Sequence, residues 1–276
     1  MRGFFFNRSK NGVKGEQGFV CFIFVLMYTL KKSLGQHFLK DENICRKIVE
    51  EVKKCVNTNL VEVGPGGGAL TKYLVNIEGI EFKAVEIDDE KVAYLVQHFP
   101  VLKDKIIHSS FLNIDRPFEQ PFSVVGNFPY NISTEILFKI LDWNGSVECV
   151  IGMFQKEVAQ RIAAKEGNKV YGVTSVLIQA FFDVYYLFDV SETSFIPPPK
   201  VQSGVIKLLP KNKKVEMKSK DDFFKLVKAS FGQRRKTLRN ASKSLFSTEV
   251  LQQPIFDKRA EQLNINEFAQ LSFLMK

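Results

Sequence analysis

Three short stretches hold residue types that handle a nucleoside and a weakly nucleophilic amine. The first is Asn127-Phe-Pro-Tyr130. A purine amine is a poor nucleophile because its lone pair is delocalised into the ring. A side-chain amide oxygen and a backbone carbonyl that accept from its hydrogens can return electron density to the nitrogen. Proline sets the turn and can turn its own carbonyl toward the base, and the aromatic ring can stack on the base face. Taken alone, the tetrapeptide also fits an ordinary Asn-x-Pro turn. The second stretch is Glu62-Val-Gly64-Pro-Gly66-Gly-Gly68. Glycines at a strand-to-helix turn let backbone approach a ligand closely, and the helix start favours a negative group. A tight turn without a ligand would read the same, and the order is not the G-x-G-x-x-G dinucleotide fingerprint. The third is Glu86, 22 residues after Gly64. A carboxylate at the end of the next strand can accept both hydroxyl hydrogens of a ribose.

These residues need a scaffold that brings strand ends together. The periodicity predicts a helix capped by Asp41 through Ile44, Ile48, Val49 and Val52, then a strand over residues 59–64. A helix with Leu70, Tyr73 and Leu74 follows, then a strand over residues 81–86, a helix over 89–98 and a strand over 105–109. Residues 122–126 read as a fourth strand ending in the Asn127 tetrapeptide, Ser133 as a helix cap, and residues 147–153 as a fifth strand. Such alternation implies a mostly parallel sheet covered on both faces. A helix around residues 173–182 then precedes strand-like runs over 184–190 and 201–209, an expected antiparallel pair at the sheet edge joined through Pro197-Pro-Pro199. Residues 211–214 read as a linker, and the tail as several short helices.

The 276 residues suffice for one sizeable core plus a small satellite. The net charge of +9 is uneven: residues 211–276 hold 15 basic and 7 acidic residues (+8), residues 33–210 hold 18 and 22 (−4), and residues 1–32 supply +5. A near-neutral body with a basic tail suits a polyanionic partner, or simply a solvated lysine-rich surface. Cys21, Cys45, Cys55 and Cys149 form no C-x-x-C pair and no metal-ligand spacing, so reduced thiols and no bound metal are expected. At the start, Arg2, Arg8, Lys10 and Lys14 precede a 12-residue apolar run over residues 19–30. No small-residue cleavage site follows, and the run is short for a bilayer span. Three readings stand: translation starting at Met27, an unusual anchor, or a packed extension. The expectation is that residues 1–29 pack poorly and are dispensable.

From residue 31 onward the sequence resembles the KsgA family of small-subunit ribosomal RNA adenine dimethyltransferases. The resemblance rests on Lys32-Ser-Leu-Gly-Gln-His-Phe-Leu39, Glu62-Val-Gly-Pro-Gly66, Val85-Glu-Ile-Asp88, Gly126-Asn-Phe-Pro-Tyr-Asn-Ile-Ser-Thr134, Gln155-Lys-Glu-Val158, Phe195-Ile-Pro-Pro-Pro-Lys-Val201 and Phe231-Gly-Gln-Arg-Arg-Lys-Thr-Leu-Arg-Asn240. It implies an α/β fold: a Rossmann-like class I methyltransferase domain over residues 31–208, after an extension over 1–30, and a small all-helical, basic RNA-docking domain over 209–276. The cofactor implied is S-adenosylmethionine. His37 and Leu39 would fold over it, Gly64 would lie against its methionine part, and Glu86 would bind its ribose. Ser110 stands where the family usually has an Asp that contacts the cofactor's adenine, which replaces a charge-assisted contact with a hydroxyl. Asn127 and the carbonyl of Pro129 would accept from the target amine, with Tyr130 and Phe195 sandwiching the target adenine. Arg234, Arg235, Lys236 and Arg239 would bind RNA phosphates, with Arg235 and Arg239 on one helix face.

The activity implied is double methylation of adenine N6 near the 3′ end of small-subunit ribosomal RNA, in a pre-ribosomal particle of the cytoplasm, by a monomer without metal or membrane attachment. The other readings are a large-subunit dimethylase of the antibiotic-resistance type, against which the Arg-rich tail argues, a non-catalytic nucleic-acid-binding factor on the same scaffold, and a DNA adenine methyltransferase.

Overall fold

The computed structural model describes residues 37–276. The expectations for residues 1–30, the start at Met27 included, lie outside the described residues.

The chain begins with a two-residue strand, β1 (Phe38–Leu39). Asp41 then caps α1 (Glu42–Lys53), its carboxylate accepting from Asn43 N and Ile44 N, which satisfies two of the otherwise orphaned amides. Cys45, Ile48, Val49 and Val52 form its buried face. Next come β2 (Asn59–Val63), the short α2 (Thr71–Leu74), β3 (Glu81–Glu86), α3 (Asp89–His98) capped by Asp88, β4 (Ile106–His108), β5 (Phe122–Asn127), α4 (Ser133–Asp142) and β6 (Val147–Gln155). All five residues of β2 are buried, as befits a central strand covered on both faces.

After β6 come α5 (Lys156–Ala163), α6 (Val173–Gln179), β7 (Phe182–Val190), β8 (Phe195–Ile196) and β9 (Ser203–Pro210). The main sheet has the order β4-β3-β2-β5-β6-β9-β7. Its first five members are parallel, and β9 and β7 close the edge antiparallel. The chain winds outward from β2 through β3 to β4, then returns to β2's other side with β5. That reversal opens a crevice at the carboxyl ends of β2 and β5, where α/β sheets bind ligands.

Two core clusters cover the two faces. One packs Val61, Val124 and Val150 against Ile136, Leu137 and Ile140 of α4 and Ile162 of α5. The other packs Leu60, Val125 and Ile151 against Ile48 and Val49 of α1, Leu74 of α2 and Leu95 of α3. A third joins Tyr171, Val176 and Leu177 to the tail, whose main helices are α7 (Lys220–Gly232), α8 (Leu238–Ala241) and α9 (Ile265–Phe273). Helix α6 thus serves both bodies, placing Ile178 in the first cluster and Val176 in the third.

Three local expectations are corrected. Ser133 is the first residue of α4 rather than its cap, and its hydroxyl donates to the Tyr130 carbonyl (3.3 Å). Helix α6 stops at Gln179, because residues 182–190 pair with β9. The reduced-thiol reading fails for one pair: Cys55 and Cys149, 94 positions apart, are joined as a disulfide with Cα atoms 6.2 Å apart. The segment after α1 packs on the sheet above β6, which brings the two side chains together; no sequence spacing encodes that approach. Cys45 remains a buried free thiol.

Candidate active site

The crevice is a cavity of about 410 Å³, within the usual size range of small-molecule sites. Each strand end contributes one wall. Residues 64–68 after β2 form the floor, Glu86 ends β3, Ser109 and Ser110 follow β4, and Asn127 ends β5. The strap around β1 closes the top with His37, Phe38 and Leu39.

Gly64 and Gly66 have φ of +66° and +57°, a left-handed conformation that favours glycine. A β-carbon on Gly64 would come within 3.9 Å of the Pro129 ring, filling the space between the loop and the Asn127 turn. One on Gly66 would press the Phe38 ring at 3.3 Å. The loop therefore keeps open the space that a ligand must share with Asn127.

Glu86 is 4% exposed and ties this loop to its own strand end. Its Oε2 accepts from Gly66 N (3.1 Å), and Oε1 accepts from Ile87 N (2.9 Å) and Asp88 N (3.1 Å). Three of the carboxylate's roughly four lone-pair sites are thus taken, and the remaining one, on Oε2, can accept from a ribose hydroxyl on a carboxylate already held in place.

Glu62 is the site residue whose role the sequence leaves unread. It is 2% exposed, lines the cavity, and accepts from Thr71 Oγ1 at 2.7 Å. Burial pushes its carboxyl up to about 8; the nearby Glu86 carboxylate adds to this and the Thr71 hydroxyl opposes it. Between about 4.5 and 8 the folded chain keeps a proton that the unfolded chain has released, so this group makes stability fall as pH rises through that window. Glu62→Gln should flatten the fall in urea-unfolding free energy across those pH values. An unchanged slope would show that Glu62 titrates as an ordinary carboxylate.

Asn127 sits where β5 ends, and its Nδ2 donates to the His37 carbonyl at 3.1 Å. A carbonyl can accept only from the NH₂ edge, so this contact sets the amide's orientation and leaves Oδ1 as its available acceptor. Phe128 anchors the turn: its ring lies where β-carbons on Gly126 and Gly152 would come within 2.7 Å and 2.6 Å of it. The Pro129 carbonyl accepts from Ile132 N at 3.1 Å, which leaves a second lone pair for another donor. Tyr130 is half-buried, its hydroxyl 2.5 Å from Ser203 Oγ on β9. Its ring lies 5.6 Å from that of His37, with 29° between the planes. His37 Nδ1 in turn lies 2.9 Å from the Pro197 carbonyl. Ser110 Oγ accepts from Leu112 N at 3.4 Å and lines the cavity's far end.

Phe195 departs from expectation. It is 1% exposed, does not line the cavity, and packs with Leu39, Val190 and Val205. Its strand β8 pairs antiparallel with β1, Leu39 facing Phe195, and this ribbon takes the ring into the core. His37, and not Phe195, is the ring beside Tyr130.

The tail motif also divides. Arg234 Nη2 donates to the carbonyls of Lys169 (2.9 Å) and Tyr171 (3.1 Å), and Arg239 Nη2 pairs with Asp257 Oδ1 (2.8 Å). Both are engaged by the fold. Arg235 and Lys236 are exposed in the turn before α8 and have no ion pair among the described residues. Arg235 and Arg239 do not share a helix face, because α8 starts only at Leu238. Among the described residues no three His, Cys, Asp or Glu gather as a metal site, and no helix is long and apolar enough to cross a membrane.

A family model described as ribosomal RNA adenine dimethylase matches residues 27–275. The chain is 51% identical over 249 residues to the ribosomal RNA small subunit methyltransferase A of Cytophaga hutchinsonii, covering 89% of this chain and 96% of the relative. Among solved structures, a dimethyladenosine transferase from Plasmodium falciparum superposes with a TM-score of 0.70 at 25% identity, over 85% of this chain and 96% of that one. The 23S rRNA methyltransferase ErmE superposes with a TM-score of 0.62 at 21% identity, over 84% and 99%, which reflects a common fold.

Proposed function

Because the chain belongs to the ribosomal RNA adenine dimethylase family, we propose that it transfers two methyl groups in succession to the N6 amine of adjacent adenines near the 3′ end of small-subunit ribosomal RNA. It does so in the cytoplasm, as a monomer, on a pre-ribosomal particle. The observation that carries this reading is Asn127, oriented by the His37 carbonyl with its oxygen available beside the glycine loop and Glu86.

S-adenosylmethionine, when bound, supplies a methyl group on a positively charged sulfur, already activated for transfer. The open glycine loop and the carboxylate at the end of β3 fit such a nucleoside. Glu86 receives the ribose hydroxyls, and Gly64 leaves room for the sulfur-bearing arm beside Pro129. Tyr130, steadied through Ser203, presents a ring face to the target base. Asn127 Oδ1 and the Pro129 carbonyl hold the amine's two hydrogens as the nitrogen turns pyramidal. A strong general base is not required, since the amine becomes acidic once alkylated. For the second transfer, one of those two acceptors must release its hydrogen to make room for a methyl group.

The test is incubation of purified, unmethylated small subunits with labelled S-adenosylmethionine, followed by nucleoside analysis. Dimethyladenosine in small-subunit RNA is the expected product. No label in small-subunit RNA, with label entering purified large-subunit RNA in a parallel incubation, would favour the antibiotic-resistance type of enzyme.

In this reading Arg235 and Lys236 meet RNA phosphates, whereas Arg234 ties the tail to residues 169 and 171 and Arg239 braces it from within. Replacing Arg235 and Lys236 by Ala should lower the slope of log affinity against log salt by about 1.5 for two phosphate contacts. S-adenosylmethionine affinity and melting temperature should stay unchanged. A loss of cofactor binding in this double variant would make the turn part of the enzyme's folding.

A further inference from the structure

On the reading that the cavity takes S-adenosylmethionine, we propose that Lys72 and Glu42 bind the two ends of its amino-acid arm, Lys72 the α-carboxylate and Glu42 the α-ammonium.

The layout of the crevice limits where that arm can go. A ribose at Glu86 lies over the end of β3, and the base beyond it lies over β4, toward Ser110. The sulfur must then face Asn127 at the end of β5. Its remaining substituent leaves over the loop after β2, toward α2, which that loop enters, and α1, which packs beside it. Glu42 opens α1 and Lys72 lies in α2; both line the same cavity as Gly64 and Glu86.

The other charged groups of the cavity suit this task less well. Glu86 already accepts three backbone amides and is assigned to the ribose. Glu62 lies at 2% exposure beneath the loop and accepts from Thr71. Lys91 belongs to α3, after β3, with its ammonium 5.3 Å from the Phe38 ring centre. Glu42 and Lys72 form an ion pair with side chains 36% and 31% exposed, half-open to the solvent an incoming zwitterion would leave. Tyr73 donates its hydroxyl to the second oxygen of Glu42, and Arg46 Nε donates to that hydroxyl at 3.4 Å. The carboxylate is therefore held from behind while Lys72 swings. Inserting a zwitterion replaces one carboxylate–ammonium contact by two of the same kind, so neither charge loses its partner.

The experiment compares two probes by calorimetry. S-adenosylhomocysteine carries the amino-acid arm; 5′-methylthioadenosine keeps the nucleoside and sulfur but lacks it. Lys72→Ala should weaken S-adenosylhomocysteine about tenfold, a value between exposed and buried charged contacts. It should leave 5′-methylthioadenosine within about twofold of wild type, which also shows that the variant is folded. Glu42→Gln should behave likewise. With decarboxylated S-adenosylmethionine, Lys72→Ala should match wild type while Glu42→Gln still weakens binding. Equal weakening of both nucleosides, or unchanged S-adenosylhomocysteine affinity in Lys72→Ala, overturns the assignment and leaves the pair as a tie between α1 and α2. A wild-type protein that binds neither probe overturns the cofactor reading itself.

Discussion

Asn127→Ala should lower single-turnover methylation of unmethylated small subunits about a hundred- to a thousandfold, with ribosomal RNA and S-adenosylhomocysteine still bound. The amide's NH₂ is taken by the His37 carbonyl, so its oxygen is presented to the cavity without rearrangement. A hydrogen bond to the target amine strengthens as positive charge develops on that nitrogen, which makes it chiefly a transition-state contact. Removing one such preorganised polar group typically costs that much in rate. RNA affinity should persist, because the basic contacts proposed for RNA lie in the tail. Asn127→Asp discriminates further, since a carboxylate has no N–H for the His37 carbonyl and would turn an oxygen toward it. Near-normal turnover in Asn127→Ala would remove the central claim and favour a binding factor, or a methyltransferase acting elsewhere on RNA. Tyr130→Ala should be milder, because stacking is worth roughly 1–3 kcal/mol per base.

Glu86→Ala should weaken S-adenosylhomocysteine about ten- to a hundredfold by calorimetry, the usual loss for hydrogen bonds to a charged group. It should also lower the melting temperature. The carboxylate accepts from Gly66, Ile87 and Asp88, and its removal leaves these amides short of an acceptor in the walls of the cavity. Glu86→Gln keeps one oxygen and should fall between wild type and Ala in both measurements. Unchanged affinity in Glu86→Ala would show that the ribose is not held at the end of β3. Reduced stability with unchanged affinity would leave Glu86 as a brace for the glycine loop alone.

Much of the site could be read in advance because its residues lie at strand ends. Gly64, Glu86 and Asn127 each close a short run rich in Val, Leu or Phe whose length marks a strand. In a parallel sheet all such ends face the same crevice. Ser110, after β4, falls into place for the same reason. The antiparallel pair that closes the sheet was legible as two β-rich runs, and the tail as short helices. The strap was not, because β1 and β8 have two residues each and show no periodicity; their pairing joins positions more than 150 residues apart. That pairing sends Phe195 into the core and sets the ring of His37 beside Tyr130.

The sequence by itself determined the alternation of strands and helices in a mostly parallel sheet, the glycine loop, the acid one strand later and the amide at the end of the fourth parallel strand. Those features depend on local pattern, and period and turn chemistry act over a few residues. Tertiary structure alone decided which arginines of the tail are spoken for. Arg234 caps carbonyls of residues 169 and 171, and Arg239 meets Asp257, which leaves Arg235 and Lys236 without an ion pair or carbonyl contact among the described residues. It likewise decided that Glu62 is buried enough to hold its proton and that Cys55 meets Cys149. A side chain's charge state and partners are set by what the fold packs against it, and in a sheet wound outward from its first strand those neighbours come from distant parts of the chain.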